Sequence, residues 1–129
     1  QRTTATSSAS EAKTLLLDGA LTVAGLTTGL AADLQRLAPF GPSNQEPCFC
    51  VTDANLVEVR EVGHGHVSCV LVGSGVGRAR AIAFRAKERP LGRFLLSSRG
   101  RVRLAGYLRL DRYQGKERAS FRIDDAAPS

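Results

Sequence analysis

Residues 86–100 read AKERPLGRFLLSSRG. The stretch is too long for a turn between neighbouring strands and long enough to hold a short helix around Leu91–Leu96. Working outward from it, three strand-like runs precede it: FCVTDANLVEV (49–59), HVSCVLV (66–72) and ARAIAFR (79–85). Two follow it, RVRLAGYLRL (101–110) and RASFRID (118–124), and glycine-bearing turns separate the runs. Five strands with one helix between the third and fourth is the pattern of an OB barrel, a small Greek-key barrel. An SH3-like barrel is the nearest competitor, but it has no natural place for that helix.

Period-two alternation assigns faces within the last two strands. Val102, Leu104, Leu108 and Leu110 point one way and Arg101, Arg103, Tyr107 and Arg109 the other. In the final strand Ala119, Phe121 and Ile123 turn inward, and Arg118, Ser120 and Arg122 turn outward. Paired as a hairpin around the tip Tyr113-Gln114-Gly115-Lys116, the two strands are expected to join their arginines in a single outward basic surface.

Charge follows the same division. Fourteen of the 18 Lys and Arg residues lie between Arg78 and Arg122, opposed only by Glu88, Asp111 and Glu117, a formal +11 over 45 residues. The first 77 residues hold four bases and seven acids and come out at −3. Such asymmetry points to a polyanion as the partner of the basic half, or else to a solvated face that keeps the protein soluble. No run approaches the ~18 apolar residues of a membrane helix, and no signal peptide opens the chain, so no membrane partner is expected. Three cysteines, Cys48, Cys50 and Cys69, make no disulfide framework and fit reduced thiols in a cytoplasm.

Before the barrel the sequence is of another kind. Residues 1–13 are a loose polar lead-in. Residues 14–38 hold a short strand, with Leu15, Leu16 and Leu17, closed by Asp18-Gly19. A helix follows, capped by Thr27 or Thr28, with Leu30, Leu34 and Leu37 on one face. Pro39 ends it. The connector 39–47, with three prolines and a glycine, marks the boundary to a barrel domain over 48–129.

Connector and hairpin together carry a family likeness. LAPFGPSNQEPCF (37–49) resembles the Leu-x-Pro-Phe-Gly connector of the RecJ single-strand-specific exonucleases, and GHGH (63–66) fits their Gly-x-x-His. AIAF (81–84) fits a third short motif, and AGYLRLDRYQGKERASFRIDD (105–125) looks like their C-terminal signature. The likeness covers roughly residues 14–125. Ser43 and Gln45 stand where the family favours Gly and Pro, Asp111 replaces a usual Asn, and Ser120 sits where Gln is common. The family's Asp-His-His phosphoesterase motifs are missing. The resemblance therefore implies a C-terminal piece: the last strand and helix of the second domain, the connector, and the OB domain. By the same resemblance this piece has no catalytic residues, no cofactor and no nuclease activity of its own. The divalent metal, Mn2+ or Mg2+, belongs to the catalytic domain that the piece lacks.

Other constellations carry less. Cys48, Cys50, His64, His66 and Cys69 invite a zinc reading, but closed zinc sites favour C-x2–4-C knuckles and strand cysteines behave as small buried hydrophobes, so no metal is expected. GSGVGR (73–78) lacks the Lys-Ser/Thr and the helix of a phosphate loop and reads as a flexible turn. Tyr113 has two readings, a base-stacking residue or an aromatic packed over its own strand.

OB folds bind through the second and third strands and the loops between strands one and two and four and five. Those places hold His64, His66, Arg78, Arg80, Arg112, Tyr113, Lys116 and Arg118, joined by Arg109 and Arg122 on the hairpin arms. The expected function is binding of single-stranded DNA for a 5′-directed exonuclease acting in repair and recombination. The alternative is a barrel that docks an acidic partner, such as the tail of a single-strand-binding protein.

Overall fold

The computed structural model describes residues 20–75, 77–98 and 100–128, with the side chains of Ala20 and Tyr113 left undescribed. The lead-in and the predicted strand at Leu15–Leu17 lie outside the described residues.

Among the described residues six strands and two α-helices follow one another: β1 (Ala20–Leu21), α1 (Thr28–Gln35), β2 (Phe49–Val62), β3 (His66–Val72), β4 (Arg78–Ala83), α2 (Pro90–Ser97), β5 (Arg101–Tyr113) and β6 (Lys116–Pro128). The sheet runs β1-β2-β3-β4-β6-β5, and β5 pairs back onto β2. Strands β2 to β6 therefore close a five-stranded barrel, with α2 between its third and fourth strands, as the pattern predicts for an OB domain.

Closure depends on β2 serving two neighbours. Its first half pairs antiparallel with β5, from Phe49↔Gly106 to Asn55↔Arg101. Its second half pairs with β3, from Asn55↔Val72 to Val62↔His66. A bulge falls between Val57 and Arg60, where Glu58 takes φ 52°, and another between Val51 and Ala54. Bulges bend a strand and increase its twist, which is how one 14-residue strand turns the barrel corner.

The hairpin β5–β6 is the longest ladder, running from Val102↔Pro128 to Tyr113↔Lys116. Its two-residue loop has φ 51° at Gln114 and 80° at Gly115, the doubly positive geometry that matches the twist of the flanking strands. A bulge between Ala105 and Gly106 shifts the register. A Cβ at Gly106 would lie 2.0 Å from the Arg122 carbonyl oxygen, so only glycine permits that approach.

The core is the inward set of the alternation. Val102, Leu104 and Leu108 of β5, Phe121 and Ile123 of β6, and Val67, Cys69 and Leu71 of β3 are buried. Each large side chain there contributes about 1.5–3 kcal/mol by leaving water. Helix α2 begins with Pro90 and buries Leu95 and Gly92; a Cβ on Gly92 would collide with the Ala86 carbonyl, 1.8 Å away.

The N-terminal segment joins this core. Thr27 caps α1, its Oγ1 accepting the Leu30 N–H at 3.1 Å. Val23, Leu26, Ala31 and Leu34 are buried with the barrel residues, and Leu30 and Leu37 pack against them. The apolar face that periodicity assigns to Leu30, Leu34 and Leu37 is packed, over residues 20–38, on the barrel of this chain. The connector is tied down as well: the Asn44 side-chain amide donates to the carbonyls of Leu37 (2.6 Å) and Pro39 (3.0 Å). No helix among the described residues is long and apolar enough to cross a membrane.

Candidate nucleic-acid interface

On the outer face, the even-numbered residues of β3 and β4 meet the even-numbered residues of β6. Register places Val70 beside Arg80 and Arg80 beside Ser120, then Ser68 beside Ile82 and Ile82 beside Arg122. Two hollows open on this face. One, of about 360 Å³, is lined by Ser68, Arg80, Ile82, Phe84, Arg112 and Arg118 among others; the second, of about 470 Å³, by Glu58, Val70, Arg78, Arg80 and Arg118. Arg80, Arg118 and Ala119 line both, so the hollows adjoin as one groove with arginines along its middle.

Two of the charges in it are lightly held. Arg78 is 3.7 Å from Glu58 and Arg112 is 3.1 Å from Glu117, both pairs solvent-exposed. Exposed pairs contribute only about 0–1 kcal/mol, so a phosphate can replace either carboxylate at small cost. Arg80 is exposed and has no ion-pair partner among the described residues. Lys116 is exposed at the hairpin tip, next to the backbone of Tyr113. Asp111 lines the smaller hollow and puts a carboxylate among these arginines. His64 is exposed in the β2–β3 turn.

Three of the expected residues have other engagements. Arg109 reaches back to the connector, where its Nε and Nη2 donate to both oxygens of Glu46 at 2.6 and 2.8 Å. His66 accepts the Arg85 N–H at Nδ1, 2.8 Å, and packs its ring against Phe84. Arg122 lays its guanidinium 4.7 Å from the Phe84 ring centroid, and its buried Nε has no hydrogen-bond partner among the described residues. Arg101 and Arg103 stand exposed at the other end of β5, opposite β2 and the end of β6, so the arginines of the hairpin do not form a single surface.

Reasoning from the sequence missed Glu46 and Phe84. Nothing local marks Glu46, whose partner is 63 residues away. Phe84 had a signal: in AIAF the alternation that buries Ala81 and Ala83 turns Ile82 and Phe84 outward.

The cysteines and histidines do not converge. Cys48 is exposed and Cys50 half-buried at the start of β2, whereas Cys69 faces the core. Burial pushes the Cys69 thiol up to about 12. Burial and the nearby Asp124 carboxylate raise that of Cys48 as well. Among the described residues no group of three or more His, Cys, Asp or Glu is placed to hold a metal ion.

Ser74 and Gly77, after β3, are held by β2 and the N-terminal segment. Asp53 accepts the Val23 N–H at 2.9 Å and the Ser74 N–H at 3.4 Å, so one carboxylate holds the N-terminal segment and Ser74 together. A Cβ on Gly77 would press within 2.7 Å of the Ala24 nitrogen.

Residues 17–125 match the RecJ OB domain family. Among solved structures, RecJ from Thermus thermophilus in complex with Mn2+ is similar, with TM-score 0.59 and 24% identity, over 84% of this chain and 15% of that one. Its Mg2+ complex gives TM-score 0.56 and 24% identity, over 84% and 16%. A fainter likeness is to Rim1, a mitochondrial single-stranded DNA binding protein of S. cerevisiae, at TM-score 0.49 and 10% identity over 62% of this chain and 90% of that one. The chain thus spans about one-sixth of the Thermus protein. Among curated proteins none matches it.

Proposed function

The chain belongs to the RecJ OB domain family, and from that premise we propose that it binds single-stranded DNA along the β3–β4–β6 groove. The strand would be handed to a 5′-directed exonuclease centre outside this chain, in repair and recombination. The observation that carries this reading is the groove itself, two adjoining hollows with Arg80 and Arg118 between them and Arg78 and Arg112 at the sides. Guanidinium groups read phosphates without regard to base, so binding is sequence-tolerant. The metal-dependent step, with Mn2+ or Mg2+, falls to the rest of the longer protein. This chain positions the substrate.

Titration of a fluorescent oligothymidylate tests the reading, with an acidic peptide of equal charge as competitor for the same surface. The expected result is saturable oligonucleotide binding that weakens steeply with salt and resists the peptide. Arg78→Ala with Arg80→Ala should lower both affinity and salt dependence, by roughly 0.7 in log–log slope for each phosphate no longer neutralised. Tighter binding of the peptide than of the oligonucleotide would replace this reading with that of a protein-docking barrel.

A further inference from the structure

Phe84 and Leu96 are the large apolar side chains left exposed among the described residues, and Phe84 is 40% exposed. It stands just beyond β4 on the outer face and lines the smaller hollow together with Arg80, Arg112 and Arg118.

The ring is also held. The Arg122 guanidinium lies 4.7 Å from its centroid. The His66 ring meets it at 5.1 Å with an interplanar angle of 78°, and His66 is itself fixed by the Arg85 N–H. Beneath, the Arg89 guanidinium donates to the carbonyls of Phe84 and Arg85, both at 3.1 Å, which secures the backbone at the strand end. A flat π surface is therefore pre-oriented beside a set of phosphate-binding cations. Single-strand binders combine those two elements, stacking bases on aromatic rings or guanidinium planes while cations follow the backbone.

We propose that the Phe84–Arg122 couple is a stacking platform for one base of the bound strand, whose neighbouring phosphates lie on Arg80, Arg112 and Arg118. This inference rests on the single-strand reading above and adds the place where a base, rather than a phosphate, is gripped. Every nucleobase offers a stackable face, so the platform discriminates DNA that has a base from DNA that lacks one. It does not select among sequences.

The test uses this chain and oligothymidylates in which one position is 2-aminopurine or abasic. Wild type should quench 2-aminopurine, and abasic substitution should weaken its binding. Phe84→Ala should lose the quenching and bind intact oligonucleotide about 5- to 150-fold more weakly, with the salt slope unchanged. Phe84→Tyr should restore both. Phe84→Leu, which keeps apolar volume, is measured alongside with its melting curve; a folded Phe84→Leu that binds like wild type overturns the platform. So does a lowered salt slope in Phe84→Ala, because the ring would then be serving only to hold Arg122. If Phe84→Ala binds normally while Arg80→Ala weakens binding, the platform falls and the single-strand reading stands. A wild-type chain with no affinity for oligonucleotide removes both.

Discussion

Cys69 shows how one position can be read from its neighbours. It is the middle inward residue of β3, and burial raises its thiol from the ordinary 9.0 to about 12. The unfolded thiol ionises first, so the stabilisation is complete below pH 9 and is lost as pH climbs towards 12. Alkaline melting should therefore show a slope approaching about 1.4 kcal/mol per pH unit above pH 9, and Cys69→Ala should flatten it. If the two proteins melt with the same pH dependence, the thiol is not buried as described. Alternation made the inward sets of β5 and β6 legible, whereas the expectation that strand cysteines are buried holds for Cys69 and fails for Cys48, which is exposed. It did not reveal the destination of a long side chain. Arg109 faces outward as its parity requires, yet its guanidinium ends on Glu46, and only the folded connector brings that carboxylate there.

Among the elements, the hairpin is the part the sequence announces most plainly. Two alternating runs and a Gln-Gly tip specify both the ladder and the turn. Arg112 lines the groove and is paired with an exposed Glu117, and Lys116 stands exposed at the hairpin tip. Arg112→Ala with Lys116→Ala should reduce the log–log salt slope of oligonucleotide binding by roughly 1.4 if each residue holds one phosphate. An unchanged slope would take the hairpin out of the path of the strand. Helix α2 was legible from the length of the gap it fills, because a barrel of this pattern needs a plug there, and Leu95 supplies it. The bulge at Glu58 was not. A strand that bends reads in sequence like one that does not, and the bend is set by the partners on either side.

At the scale of the molecule, the N-terminal segment is where periodicity stops short. Its leucines announce an apolar face, but periodicity cannot say which surface covers one. Here Ala31 and Leu34 share a core with Val102 and Leu104. Native-state hydrogen exchange should then give the amides of 30–35 protection comparable to those of 102–108, as one cooperative unit. Exchange at 30–35 faster by orders of magnitude would show that the helix docks loosely on a barrel that is stable without it. The closing of that barrel also has a consequence in time. β2 must wait for β5, which begins 39 residues after β2 ends, and β4 must wait for β6, its parallel neighbour. Both pairings carry the loop-closure cost that slows folding. As a chain emerges from synthesis, the β2–β3–β4 meander is complete while both of its edges are still open. Both edges therefore stay unpaired until the last hairpin arrives to close them.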